Sequence, residues 1–329
     1  MYHILQLAFP LKICYNEIIF WNEMECAGME SNFETQLQAA NALRAAWAAS
    51  DRKRDEGLMP RVDVVKLTDL SYQAASTPED AIWQLADVYY PKGHTEGLYP
   101  VIVNVHGGGW FYGDKLLYAP YGQYLAAQGF AVVNFNYRLA PEHKYPAAFA
   151  DVCALMEYLA ENAPRLQLDL SRLYMVGDSA GAQLTAQYAV FVTNAAYRGL
   201  FTTLCNGNYP VPSKLALNCG AYHAKGDRTD EIVSWYLPDD ADDALAHSLF
   251  AVLDYLTPQF PQCFVMASVN DDLLTESRIL HQRLSALQHT HIYREYGQDN
   301  PENGHVFHLN LRSDEGLQCN ADEVAFFKG

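Results

Sequence analysis

Apolar and polar positions alternate along the chain with two different periods, and these periods predict its secondary structure. In residues 33–49 the apolar side chains recur at spacings of three and four, which predicts an amphipathic helix that ends before Gly57. Two extended segments, 62–72 and 81–90, flank a polar stretch that contains Pro78. We expect these two segments to form a hairpin.

Strands and helices alternate after residue 100. Short apolar runs, most of them rich in β-branched or aromatic residues, predict strands at 101–105, 130–135, 173–176, 214–218, 263–269 and 291–296. The stretches between them predict helices at 121–128, 151–161, 182–193 and 276–287. This alternation predicts an α/β fold in which helices cover both faces of a mostly parallel sheet.

The first 28 residues do not fit this pattern. The apolar stretch 4–21 is interrupted by a proline and by charged residues, and it lacks both a basic start and a small-residue cleavage site. It therefore makes a poor signal peptide. Two explanations stay open for the segment 1–29: residues 1–28 are an upstream extension, with translation starting at Met29, or the segment forms a weakly packed arm.

Composition and charge narrow the function classes. With 329 residues, 50% of them hydrophobic, the chain is long enough for one large domain with an appended subdomain or for two ordinary domains. A formal net charge of -17 would repel nucleic acids and anionic lipids, and no apolar run reaches the roughly 18 residues of a membrane span. Seven scattered cysteines without a Cys-x-x-Cys pair indicate neither a disulfide framework nor a zinc module, and favour a reducing, cytoplasmic compartment.

A Gly-x-Ser-x-Gly pentapeptide, Gly177-Asp-Ser-Ala-Gly181, lies between a predicted strand and a predicted helix. This is the context of a nucleophile elbow, in which the glycines allow a sharp turn that exposes the hydroxyl of Ser179 above the sheet. A glycine-rich helix start that binds an anion is the simpler alternative. The position of the motif favours the elbow.

The segment His106-Gly-Gly-Gly-Trp110 follows an earlier predicted strand. Consecutive glycines leave backbone N–H groups free to converge on one point, as the oxyanion of an acyl transfer requires. We expect the N–H groups of Gly108, Gly109 and Ala180 to form an oxyanion hole. A plain glycine turn is the alternative, but it does not explain a second site-forming motif ahead of Ser179.

Together with Tyr137-Arg-Leu-Ala-Pro-Glu-His-Lys-Tyr-Pro146, these motifs resemble the hormone-sensitive lipase family of α/β-hydrolases, which includes many microbial carboxylesterases and acetyl esterases. The resemblance runs from about residue 60 to the C-terminus. It implies an α/β-hydrolase fold with an eight-stranded sheet, a helical cap, and a Ser-Asp-His triad that needs no cofactor or metal. The implied domains are N-terminal cap helices at 30–60 and a catalytic domain at 61–329, with a cap insertion at about 199–256.

The chain order of the family locates the other two triad residues. Asn270-Asp-Asp-Leu-Leu-Thr-Glu276 is similar to the family's Asp-Pro-Leu-x-Asp-Glu turn. Asp271 then stands in the position of the acid, with Asp272 as the neighbouring alternative, and either residue could instead be a helix N-cap. Gly304-His305-Val-Phe307 resembles the family's Gly-His-x-Phe and follows the last predicted strand, so His305 is the expected base.

The remaining motif residues are assigned to support and to substrate contact. By the same resemblance, Arg138 and Glu142 support the loop beneath the oxyanion motif and take no part in catalysis. Trp110 and Phe111 directly follow the oxyanion glycines, so we expect their rings to line the substrate pocket. Packing in the core is the commoner fate of such side chains and is the alternative.

An acidic run lies inside the presumed cap insertion. It lacks the spaced oxygen ligands, the glycine and the terminal glutamate of a calcium loop, so we interpret it as a solvated face that disfavours anionic substrates. Its members are Asp227, Asp230, Glu231, Asp239, Asp240, Asp242 and Asp243.

These observations predict a serine carboxylesterase that hydrolyses short-chain acyl esters, from acetyl to about hexanoyl, through an acyl-enzyme intermediate. The expected partner is a small-molecule ester, and the sequence does not indicate an oligomeric state. An amidase or peptidase with the same triad is the enzymatic alternative. A small-molecule receptor similar to the gibberellin receptors is the non-enzymatic one, but those receptors have lost the triad histidine, whereas His305 is present.

Overall fold

The computed structural model describes residues 19–93, 97–204, 207–222, 231–239, 241 and 243–329, with the backbone alone for residues 19–31, 243, 247 and 250. The strands of this part of the chain are β1 (Val64–Ser71), β2 (Leu85–Pro91), β3 (Tyr99–Val105), β4 (Ala131–Phe135), β5 (Leu168–Asp178), β6 (Lys214–Asn218), β7 (Gln262–Ser268) and β8 (His291–Tyr296). The helices are α1 (Ile19–Asp55), α2 (Ala119–Ala126), α3 (Ala147–Asn162), α4 (Ala180–Thr193), α5 (Ala195–Arg198), α6 (Glu231–Tyr236), α7 (Asp243–Phe250), α8 (Leu274–Ala286) and α9 (Asp314–Lys328).

The eight strands form one sheet in the order β1-β2-β4-β3-β5-β6-β7-β8. Strand β2 runs antiparallel to both of its neighbours, and the other pairs are parallel. The predicted α/β fold with a mostly parallel eight-stranded sheet is therefore confirmed. Because the parallel strands all end at one edge, the loops that follow them meet there, where open α/β sheets form their ligand sites.

The predicted hairpin is present, but its second strand is shorter than expected. Residues Glu79–Gln84, which include the start of the predicted strand 81–90, form a 3-10 helix. Strand β2 begins only at Leu85, where it pairs with Ser71 of β1. The apolar residues of 81–84 mark no buried strand, because Ile82 is 55% exposed and Gln84 is the buried residue of the four.

Helix α9 has no counterpart among the predicted elements. The Ser313 hydroxyl caps its start by accepting a hydrogen bond from the Gly316 N–H. The ring of Phe327 stacks on Tyr174 of β5, with the ring centroids 5.2 Å apart, and also contacts Phe130. This packing covers one face of the sheet and brings Glu323 into the interior, where its side chain is completely buried.

The cap insertion at about 199–256 stays a prediction, but part of its range lies in the sheet. Strand β6 lies inside that range, yet it pairs along its whole length with β5 on one side and β7 on the other. A strand held in the centre of the sheet is not part of a cap, so residues after Asn218 are what remains of the predicted insertion. Helices α6 and α7 and the 3-10 helix Val252–Tyr255 lie in this remaining range, while residues 223–230 lie outside the described part.

A single long helix, α1, stands where several cap helices were expected at residues 30–60. Arg44 fixes it to the loops at the carboxyl edge of the sheet by donating to the backbone oxygens of Phe111 and Ala140, at 2.8 and 2.7 Å. The C-terminal end of α1 is held by Arg312, which donates to the carbonyl oxygens of Lys53 and Glu56. The helix therefore covers the edge at which the motif residues meet.

Of the N-terminal segment 1–29, residues 1–18 lie outside the described part of the chain, and residues 19–29 are described as backbone of α1. Its assignment as an extension or an arm stays a prediction. None of the helices in the described ranges combines the length and the apolar character that crossing a membrane requires.

Candidate active site

Ser179 occupies a sharp turn between β5 and α4. Its backbone dihedral angles, φ 53° and ψ -121°, lie in a strained region for a residue with a side chain. A Cβ atom on Gly177 would lie 2.3 Å from the Gly181 oxygen, and one on Gly181 would lie 2.0 Å from the oxygen of Val105. Only glycine fits at either position, and this explains why the turn needs both glycines of the pentapeptide.

His305 and Asp271 form a hydrogen-bonded pair. The His305 Nδ1 atom lies 3.0 and 2.9 Å from the two carboxylate oxygens of Asp271. Asp271 follows β7 and is buried, whereas the neighbouring Asp272 is exposed. The structure therefore brings Asp271, and not Asp272, to the histidine.

The environment of Asp271 favours its ionised form. Burial by itself would raise the pKa of this carboxyl, but the hydrogen bond and charge of His305, the Leu273 N–H and the Cys219 thiol lower the pKa below its usual value. The Leu273 N–H donates at 2.8 Å. Sequence reasoning missed Cys219, which lies just after β6 with a φ of 49°, because a single cysteine carries no motif.

The glycine loop after β3 lies next to the serine turn. Gly108 has a φ of 108°, and a Cβ atom there would approach the Tyr112 oxygen to 2.1 Å, so this position also requires glycine. The Gly107 N–H donates to the Tyr118 hydroxyl, which in turn donates to the carboxylate of Asp178 at 2.8 Å. This chain of hydrogen bonds connects the glycine loop to the residue that precedes Ser179.

A cavity of about 170 Å³ lies between these segments. Ser179, His305 and Gly108 line its floor. Helix α1 contributes a wall to the cavity through Trp47, Ser50, Asp51 and Arg54, and further lining comes from Tyr112, Leu117, Tyr118, Val306 and Leu309. The wall residues of α1 were not predicted, because their positions on an amphipathic helix give no sign of which loops they will face.

The expectation that Trp110 and Phe111 line this cavity does not hold. Trp110 is 1% exposed and Phe111 is 0% exposed, and neither contributes to the cavity beside Ser179. The indole of Trp110 stacks on the ring of Tyr236 with the centroids 5.0 Å apart, and its N–H donates to Gln183. Because the loop turns at Gly109, with a φ of 58°, the two rings point into the core and pack against residues of α6.

The two supporting residues of the tyrosine-proline motif make ion pairs, each with a different element. Arg138 donates to both oxygens of Asp151 on α3, a carboxylate that is fully buried. Glu142 accepts two hydrogen bonds from Arg44 of α1, each at 2.7 Å. Since Arg44 also holds the Phe111 carbonyl, Glu142 supports the loop after the glycines through the helix.

Two buried carboxyl groups lie behind the serine turn. Burial raises the pKa of Asp178 to about 6 against the opposing hydrogen bond from Tyr118. Burial also raises the pKa of Glu323 to about 7, although Tyr121 and Asn218 donate to its carboxylate. The carbonyl oxygen of Asn218 accepts the Ser179 N–H at 2.9 Å, so Glu323 contributes to the support of the turn.

Two further features of the site are a second histidine and a possible metal-ligand group. His308, three positions after His305, is buried, and burial lowers its pKa to about 3. Within the described residues, Cys219, Asp271 and His305 are the one group with ligand atoms close enough to hold a metal, and His305 Nδ1 and Asp271 already bond each other there. Most of the acidic run lies outside the described residues.

Comparison with known proteins agrees with this geometry. A family model described as the alpha/beta hydrolase fold matches residues 102–309, which is well over half of the chain. Carboxylesterase NlhH of Mycobacterium tuberculosis is 30% identical over 207 residues, covering 60% of this chain and 64% of that protein. An acetyl esterase of Salmonella typhi is 28% identical over 231 residues, or 68% and 69% of the two chains.

The crystal structure of esterase B from Lactobacillus rhamnosis superposes with a TM-score of 0.79 at 26% sequence identity, covering 91% of this chain and 96% of that one. The chain spans less than two thirds of the length of the mycobacterial relative. The family match nevertheless covers strands β4 to β8, most of β3, the glycine loop, the serine turn and the histidine. The chain therefore belongs to the α/β-hydrolase family, in agreement with the resemblance to hormone-sensitive lipases.

Proposed function

We propose that the protein is a serine carboxylesterase that hydrolyses short-chain acyl esters, from acetyl to about hexanoyl. The observation that carries the proposal is the pairing of His305 with the buried, ionised Asp271 at the same cavity as Ser179. A base oriented by a carboxylate beside a serine in an elbow is the arrangement that activates a hydroxyl for acyl transfer. The names of the relatives, carboxylesterase and acetyl esterase, support the same chemistry.

In the proposed mechanism, the Ser179 oxygen attacks the ester carbonyl carbon while His305 accepts the hydroxyl proton. Asp271 orients the imidazole and stabilises the imidazolium. The N–H groups of Gly108, Gly109 and Ala180 bind the tetrahedral oxyanion. The carbon–oxygen bond to the alcohol then breaks, and the alcohol leaves with the proton from His305.

Hydrolysis of the acyl-enzyme by water completes the catalytic cycle, and His305 again transfers the proton. His305 takes a proton from water, the hydroxide oxygen attacks the acyl carbon, and the carboxylic acid leaves as Ser179 regains its proton. Each step uses side chains of this chain alone, so the proposal includes no cofactor and no metal.

The size of the cavity supports short acyl groups. Its volume of about 170 Å³ lies below the roughly 300–1,000 Å³ of pockets that enclose drug-sized ligands. Trp47, Tyr112 and Leu117 give it an apolar part, in which each buried methylene contributes up to roughly 0.8 kcal/mol. The value of kcat/KM is therefore expected to rise over the first few acyl carbons and to fall once the chain no longer fits.

Measuring kcat/KM for p-nitrophenyl esters from C2 to C16, with the matching short-chain p-nitroanilides and acetylated oligosaccharides, tests this proposal. The expected result is an optimum between C2 and C6, with the anilides far slower than the esters. An optimum at C12 or beyond would contradict the short-chain assignment. Faster hydrolysis of the anilides would favour an amidase.

Compartment and partners follow from residues away from the site. The cysteines Cys153, Cys219, Cys263 and Cys319 are buried free thiols, and none of these four forms a disulfide. We infer a reducing, cytoplasmic location from this pattern. A small-molecule ester is the partner that the enclosed cavity accommodates.

A further inference from the structure

A second cavity adjoins the one beside Ser179. It is a groove of about 630 Å³ between α1 and the segment that follows the oxyanion glycines. The two cavities share three lining residues, Asp51, Tyr112 and Leu117. These three side chains therefore form the partition between the active-site cavity and the groove.

Tyr112 is the central part of this partition, and it is fixed at both ends. Its backbone N–H donates to the Gly108 oxygen at 2.9 Å, so its main chain moves with the glycine loop. Its hydroxyl donates to the Asp51 carboxylate of α1 at 2.7 Å. The other oxygen of Asp51 accepts a hydrogen bond from Arg54, and the ring of Trp47 meets the Tyr112 ring edge-on at 5.7 Å.

The position of the groove away from His305 assigns it to the acyl side of the scissile bond. His305 must reach the leaving oxygen to protonate it, so the alcohol part of an ester lies beside His305. Residues around His305, including Val306 and Leu309, line the active-site cavity, whereas the groove is lined by α1, Trp83, Leu139 and residues 111–117. An acyl chain that extends away from His305 therefore points towards the partition.

The groove has the chemistry to hold an alkyl chain. Apolar residues of α1 and of three segments opposite it line the groove: Ala45, Ala48, Trp83, Leu116 and Leu139. Charged side chains, among them Arg52 and Asp114, add to this lining. Acyl carbons that passed the partition would therefore exchange water for apolar contacts.

We propose that Tyr112, held in place by Asp51, is the specificity-determining residue that sets the upper acyl length of the substrate. The inference rests on the proposed esterase activity and adds a physical limit to it. Closed by the Tyr112–Asp51 hydrogen bond, the active-site cavity ends after a few acyl carbons. Without the tyrosine ring, it continues into the groove and accepts medium-length chains.

The test compares the ratio of kcat/KM for p-nitrophenyl octanoate to that for the butanoate. Tyr112→Ala should raise this ratio at least tenfold over wild type, and Tyr112→Phe, which keeps the ring but loses the hydrogen bond, should raise it only a few-fold. Ala48→Phe places a ring in the groove on the far side of the partition from Ser179. In the Tyr112→Ala background it should return the ratio towards the wild-type value.

Two further variants keep the test decisive. Asp51→Ala releases the tyrosine from the helix side and should raise the same ratio, even if Tyr112→Ala does not fold. Tyr124→Ala makes the same truncation on α2, outside both cavities, and should leave the ratio unchanged. An unchanged ratio in folded Tyr112→Ala and Asp51→Ala, or a raised ratio that Ala48→Phe does not reverse, would overturn the proposal. Wild-type hydrolysis of the butanoate, measured alongside, tests the proposed function separately.

Discussion

Ser179 at the end of β5 and Asp51 on α1 line one cavity, but their positions are determined in different ways. Gly177 and Gly181, on either side of Ser179, allow the close backbone approaches of its turn. Asn218 of the adjacent strand β6 accepts the Ser179 N–H. The steric requirement of the turn therefore appears in the sequence as glycines within two positions of the serine.

The helical wall is positioned by contacts between residues far apart in the chain. Arg44 reaches Phe111 and Glu142, which are 67 and 98 positions away, and Arg312 holds the end of α1 from 259 positions beyond Lys53. Many of these contacts are hydrogen bonds from half-exposed side chains, which contribute modestly to stability. From this difference we expect that substitutions at the carboxyl edge of the sheet abolish ester hydrolysis. Substitutions in the cavity wall formed by α1 are expected to change which esters are hydrolysed.

The largest expected effect is the loss of kcat when the proposed nucleophile, Ser179, is replaced. Ser179→Ala should lower kcat by roughly six orders of magnitude, as loss of a triad serine does elsewhere. The melting temperature should stay within a few degrees, because the hydroxyl lies at the cavity and its removal leaves no gap in the core. Steady-state kinetics and thermal unfolding measure both. Ser171→Ala, on the exposed start of the same strand, is the matched control and should leave kcat intact.

Substituting each of the two adjacent aspartates tests which of them is the acid that orients His305. Asp271→Asn should lower kcat by about four orders of magnitude, since an amide would hold the imidazole in the wrong tautomer. Asp272→Asn, at an exposed position, should change kcat by less than about tenfold, in line with the small effects of surface substitutions. If the two variants exchanged these outcomes, the acid would be Asp272 and the pairing of His305 with Asp271 would not be the functional one.

Substitution of Trp110 tests the contact between the glycine loop at the carboxyl edge and helix α6. Trp110→Ala should lower the free energy of unfolding by about 3–5 kcal/mol, because it removes a buried ring stacked on Tyr236 and leaves a cavity. Urea unfolding measures the loss. The acyl-length profile should keep its shape in the folded variant. A changed profile with unchanged stability would instead place the indole in the substrate pocket.

The smallest expected effect is a pH dependence of stability that arises from Glu323, the buried carboxyl behind the serine turn. The pKa of Glu323 is raised by burial to about 7, from 4.5. The native protein therefore keeps a proton that the unfolded chain loses, so the stabilising contribution is complete below about pH 4.5 and disappears as the pH rises through 7. Glutamine cannot ionise, so the stability of Glu323→Gln relative to wild type should increase with pH.

This increase should reach at most about 3 kcal/mol between pH 5 and pH 8, since each unit of pKa corresponds to about 1.4 kcal/mol. Urea unfolding of both proteins at the two pH values measures it. Glu302→Gln, an exposed position, is the control and should show no such trend. A stability difference that does not change with pH would mean that Glu323 is ionised in the native state throughout this range.

Much of the edge could be predicted from the sequence, because the steric demands of its turns appear as residue types. The glycines around Ser179 and in the loop after β3 are required by close backbone approaches, and short apolar runs mark strands buried on both faces. Strand β6, which is buried on both faces, and the edge strand β8, whose exposure alternates, both begin and end at the predicted residues. The candidate residues Ser179, Asp271 and His305 were all named from motifs at strand ends.

Only the tertiary structure decided which side chains meet across the cavity. A sequence gives the apolar face of α1 but not the loop it covers, so Trp47, Asp51 and Arg54 were not named. Likewise, the direction of the Trp110 ring depends on the turn at Gly109 and on the stacking partner Tyr236, 126 positions away. Local stereochemistry is recorded in neighbouring residues, whereas packing depends on how distant elements fit together, and a single sequence does not record that fit.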